Sequence, residues 1–156
     1  MITFNINKYD KSEFVRGYML TWIRKFDLKK AGYVSCSIGI INIIVHILVI
    51  IGVLPYLWVN GGRSESFSAA QSTSFSSIVI TVISILITLI ASQIIPVRLN
   101  RFWGIAISAF LIVTLPLSFI GIVSQFLGTL FEKCVMSIVT ILGFCADTRI
   151  AFEKRW

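Results

Sequence analysis

An all-α polytopic membrane protein, with four transmembrane helices preceded by an N-terminal amphipathic helix in the bilayer interface, is the fold class this sequence predicts. Three observations predict it. Only 13% of the 156 residues are charged and the mean hydropathy is +0.89, whereas soluble domains carry about 25% charged residues. Charge-free stretches run from Ala31 to Gly62, Ser66 to Val97 and Phe102 to Phe131, each able to supply the roughly 20 apolar residues that cross a bilayer. The basic residues are also unevenly placed. Seven precede the first stretch (Lys8, Lys11, Arg16, Arg24, Lys25, Lys29, Lys30), two lie in a short link (Arg98, Arg101), and three follow the last apolar segment (Arg149, Lys154, Arg155). Only Arg63 and Lys133 fall in the other loops. Positive charge sorts to the cytoplasmic side, so four spans with both termini cytoplasmic are expected.

Residues 1–31 form the first unit. Phe14, Val15, Tyr18, Met19, Trp22, Ile23 and Phe26 recur on one helical face, and Asp10 with Glu13 is a plausible capping pair. No long apolar run follows the first residues, so a cleavable signal is not expected. A basic helix with aromatic residues on its buried side suits a membrane surface, where Trp22 is buried and Arg24, Lys25, Lys29 and Lys30 meet anionic headgroups. The same face would also dock on a cytosolic protein.

Residues 32–156 form a four-helix transmembrane domain with expected spans at 33–57, 76–95, 104–128 and 134–152. Tyr33 marks one boundary of the first span, and Tyr56 with Trp58 the other, as an aromatic belt. Val59 to Phe75 reads as a turn at Asn60-Gly61-Gly62 followed by a polar loop. Pro116 falls within the third span and should kink it. The last segment is charge-free only from Cys134 to Ala146, short for a span. It crosses if Asp147 and Arg149 sit in its final turn with Arg149 snorkelling; otherwise it is re-entrant or interfacial.

Three small or polar seams run along these spans. Ser35, Gly39, Asn42 and His46 are spaced four, three and four apart. Ser77, Thr81, Ser84, Thr88 and Ser92 continue the pattern on the second span, and Thr114, Ser118, Gly121, Gln125 and Gly128 on the third. Such spacing puts each set on one face. The seams either pack helices closely or line a cavity or pore. Antiparallel pairing of the first two spans sets Ser35 near Ser92 and His46 near Thr81 and Ser84, so Asn42 and His46 should donate to Thr81, Ser84 or Thr88. His46, at mid-span, is either a hydrogen-bonded packing group or a functional one. Asp147 is the natural partner for Arg98 or Arg101, or else a solvated edge charge.

The sequence shows no GxSxG, P-loop, GxGxxG or HExxH motif and no paired carboxylates. No catalytic, cofactor or metal site is therefore expected, and the cysteines (Cys36, Cys134, Cys145) should be free thiols. With the charge read by location, no nucleic-acid partner is expected. Partners expected are the lipid bilayer, further copies of the chain and a cytosolic protein on the basic face.

Two function classes remain: a non-enzymatic oligomeric scaffold or sensor that recruits that cytosolic protein, and a small ion channel or permeability-altering protein. In size and layout, with its basic N-terminus, short loops, four spans and basic tail, the chain resembles small four-span proteins of prophages and mobile elements. These include exclusion proteins and membrane subunits of phage-defence systems such as Kiwa. The resemblance is one of architecture and implies a role in phage defence or exclusion.

Overall fold

The computed structural model describes Ile23 and residues 25–153. Trp22, Arg24, the Asp10–Glu13 cap and the tail from Lys154 lie outside the described residues. Four helices follow: α1 (Leu28–Ile50), α2 (Phe67–Ala91), α3 (Arg101–Phe126) and α4 (Ser137–Ala151). A π-helical turn over Glu132–Met136 leads into α4, so that Glu132–Ala151 forms one 20-residue span. All four are long and apolar enough to cross a membrane, and no strand occurs among the described residues.

Local chemistry sets the helix ends, and it moves two spans from their expected positions. Asp27 caps α1, its Oδ1 accepting from Lys30 N at 2.8 Å. Lys29 and Lys30 therefore belong to the first turn of α1, not to a separate interfacial segment. Basic side chains there oppose the helix dipole, and the Asp27 carboxylate offsets them. At the other end Gly52 adopts φ 75°, with Gly52 N donating to Val49 O and Val53 N to Leu48 O. This Schellman turn stops α1 at Ile50, well before the expected Leu57. The second span starts earlier than expected. Ser66 Oγ accepts from Ala69 N at 3.2 Å, and the run read as a polar loop becomes the first turns of α2. Its hydroxyls fold back on the helix, Thr73 donating to Ala69 O and Ser76 to Ser72 O, which makes a polar sequence compatible with a helix. Gln71 Nε2 donates to Ile50 O at 2.9 Å and ties the two helix ends together. α3 starts at an Asn100 cap and carries Pro116 without interruption.

α1 is central, packed against α2 on one side and α4 on the other, with α3 against α4. Glycine lets backbones approach where these helices cross. A Cβ on Gly32 would overlap Ser92, and one on Gly39 would press into Ile85. α2 and α3 approach near the link that joins them, where Ala91 and Leu111 share a cluster. Two apolar layers close the bundle. At the end where α1 starts and α4 finishes, Ala31, Ala91, Leu111, Ala146, Ile150 and Ala151 draw on all four helices. At the opposite end, Val49, Val59 and Ala70 pack with Tyr56 and Phe131. The outer surface is apolar, with Ile40, Ile44, Ile83, Leu86, Val113 and Phe119 exposed, as a lipid-facing surface requires.

Candidate functional site

Between the two apolar layers lies a half-open cavity of about 340 Å³, lined by polar and apolar side chains of all four helices. Ser35 and Asn42 reach it from α1, Thr81, Ser84 and Thr88 from α2, Thr114, Ser118 and Gln125 from α3, and Thr140 and Asp147 from α4. Parts of all three seams thus face one space within a single chain. Asp147 is the only ionisable side chain in the lining.

Five of the lining hydroxyls donate their protons within the protein. Thr81 donates to Ser77 O at 2.7 Å, Ser84 to Ile80 O at 2.9 Å and Thr114 to Leu111 O at 2.9 Å. Ser35 Oγ donates to Asp147 Oδ1 at 2.6 Å. Thr140 Oγ1 lies 2.7 Å from Met136 O and 2.8 Å from Gln125 Oε1, two acceptors for its one proton. Asn42 Nδ2 donates to Thr81 Oγ1 at 3.1 Å. A hydroxyl has one proton and two lone pairs. A hydroxyl whose proton is turned to a helix carbonyl or to Asp147 offers its lone pairs to the cavity, next to one carboxyl group and, among the described residues, no base.

Of the residues singled out from sequence, Asn42, Thr81, Ser84 and Thr88 line this space. His46 does not. It is buried, and its Nδ1 lies 3.2 Å from Ser74 Oγ rather than beside Thr81 or Ser84. The reason is register: α2 begins at Phe67, which shifts the pairing by about two turns at this level. Asp147 meets Ser35, not Arg98 or Arg101; Arg98 lies in the α2–α3 link and Arg101 opens α3, both exposed. Arg149 is buried on α4, its Nε donating to Phe26 O at 2.7 Å and its Nη1 to Glu153 at 2.6 Å. Lys25, Lys29 and Lys30 are exposed at the end where α1 starts.

The α4 contribution was missed by the sequence reading, although its signal was present. Met136, Thr140, Gly143 and Asp147 are spaced four, three and four apart, the same rhythm as the other seams, and all four line the cavity.

Away from the cavity, Glu132 forms a second polar centre. Only 7% exposed, its carboxylate accepts from Gly61 N at 2.8 Å and Thr129 N at 3.0 Å. Thr129 Oγ1 donates to Trp58 O at 2.7 Å, and the Trp58 and Phe131 rings stack at 6.1 Å. This knot joins the α1–α2 connection to the α3–α4 turn.

Comparison with family models, curated proteins and solved structures finds no match for this chain.

Proposed function

We propose that this chain is a non-enzymatic permeability protein of the bilayer that admits water and small cations to its central cavity. The observation that carries this reading is the polar part of the lining: hydroxyl and amide groups from four helices around Asp147, set among apolar side chains, with no basic side chain from the described residues. Polar groups at bilayer depth are costly unless satisfied, and a polar space of this size is large enough to hold several waters. Acceptors and a carboxyl group replace the hydration shell of a cation and disfavour an anion. The apolar layers above and below are the constrictions an ion must pass, and hydrophobic constrictions control ion passage by wetting and dewetting.

Reconstitution into liposomes containing a potassium-sensitive dye tests this. Wild-type protein should raise potassium entry above that of empty vesicles, and Asp147→Asn should abolish the increase while the protein still inserts. Equal chloride entry, or potassium entry unchanged in Asp147→Asn, would overturn the reading.

A second reading, a sensor or scaffold that recruits a cytosolic partner, is favoured by a different observation. Lys25, Lys29, Lys30, Arg98 and Arg101 are all exposed at the end where α1 and α3 start, which the positive-inside rule assigns to the cytoplasm. No potassium entry, together with co-purification of an acidic soluble protein lost on replacing those lysines, would favour it. Either role fits the phage-defence or exclusion setting that the four-span layout resembles.

A further inference from the structure

A second concavity lies outside the bundle, between the end of α2 and the start of α3, with a volume of about 600 Å³. That is within the ~300–1,000 Å³ typical of ligand pockets. It exists because α2 and α3 are not joined by a tight turn. Gln93 takes φ 58° and closes α2, Pro96 prevents its continuation, and an irregular link carries the chain to the Asn100 cap. The floor is apolar: Ile87 and Ile90 from α2, Ala106, Ile107 and Phe110 from α3. At the mouth stand Arg98, Asn100 and Trp103, with exposed Arg101 adjoining.

The charge is one-sided. The sequence contains no acid between Glu65 and Glu132, and among the described residues the only ion pair is Arg149 with Glu153. Among the described residues the two arginines therefore stand beside an apolar trough without a counter-charge, at the level where a span leaves the membrane. Trp103 is of the residue type that settles at that level.

We propose that this groove holds one anionic phospholipid, its acyl chain along the apolar floor and its phosphate at Arg98 and Arg101. Basic pockets between transmembrane helices favour lipids with net negative headgroups, and a zwitterionic headgroup would bring its own cation toward the arginines. The site shares only Phe110 with the central cavity, so the proposal stands apart from the permeability reading.

Native mass spectrometry of the purified protein with equimolar phosphatidylglycerol and phosphatidylcholine of matched chains tests it. One phosphatidylglycerol should be retained per chain in preference to phosphatidylcholine. Arg98→Gln and Arg101→Gln should each weaken that retention about fivefold, the contribution of one basic residue near a charged bilayer surface. Ile107→Trp should fill the floor and displace the lipid, whereas Lys133→Gln, in the α3–α4 turn, should leave it in place. The arginine variants alter exposed side chains and give the same readout should Ile107→Trp misfold. Equal retention of the two lipids, or preference unaffected by either arginine change, overturns the proposal. So does a dimer that Ile107→Trp converts to monomer, because the groove then belongs to a second copy.

Discussion

Removing the Glu132 carboxylate should loosen one end of the bundle by an amount that follows from its contacts. Three donors lie close: Gly61 N, Thr129 N and Thr129 Oγ1. The hydroxyl has a single proton, which goes to Trp58 O at 2.7 Å, so its 3.3 Å approach to the carboxylate adds little. Two charge-assisted bonds remain, each worth about 1.5–3 kcal/mol net. Glu132→Ala strands both N–H groups and should cost roughly 3–5 kcal/mol, somewhat less where water reaches them. Glu132→Gln keeps one acceptor and should cost about half as much. At roughly 2–4 °C per kcal/mol for a chain of this length, the alanine variant should melt roughly 6–20 °C below wild type. Thermal unfolding in detergent, followed by circular dichroism, measures this. Gly128→Ala is an independent perturbation, since its Cβ would overlap the Glu132 carboxylate and displace it without removing it. Should Glu132→Ala melt within about 1 °C of wild type, well under the expected shift, the knot does not hold these turns together.

Further outcomes follow from the helix register. In a chain with the native cysteines replaced, the cysteine pair at His46 and Ser74 should crosslink readily, and the pair at His46 and Thr81 should not. Gly39 with Ile85 should crosslink better than Gly39 with Thr88; the reverse order in either comparison would refute the α1–α2 pairing. Gly32→Ala should destabilise by roughly 1–3 kcal/mol through overpacking, because it meets the fully buried Ser92. Adding Ser92→Gly should recover part of the loss, and failure of that rescue in thermal unfolding would show that the contact is not limiting. Arg149→Ala should raise amide exchange at the last turn of α4, since it removes bonds to Phe26 O and Glu153; unchanged exchange would exclude that anchoring role.

The four spans were legible because the bilayer imposes length and apolarity on each of them, and both can be counted along a chain. Their limits were not, and the reasons are local. Ser, Ala, Gln and Thr between Phe67 and Phe75 carry loop-like composition, yet a serine cap and hydroxyls that satisfy the helix's own carbonyls make them α2. Gly52 outweighed the apolar residues that follow it, since a left-handed turn there closes the carbonyl ladder of α1. Moving these two ends carried His46 away from Thr81, so one shift in helix limits changed a named partner. Asn42 lies nearer the middle of the pair, where the shift is smaller, and its bond to Thr81 was within the expected set.

The last span shows why hydropathy alone underrated one element and, with it, part of the site. Glu132–Ala151 is the least apolar of the four, and it is also the most enclosed: 39% of its most apolar window is buried, against 17% for each of the others. The two facts have one cause. A helix packed between α1 and α3 shows less of its surface to lipid, so it can carry Thr140, Asp147 and Arg149 at positions that a lipid-facing helix could not hold. The polarity that makes the segment look short is what supplies the cavity with its carboxyl group. Reading α4 as weak because it is polar and omitting its seam from the site were therefore a single error. The four-three-four spacing from Met136 to Asp147 corrects both, because such a stripe of small and polar residues needs neighbouring helices to cover it, and α1 and α3 are the helices that do.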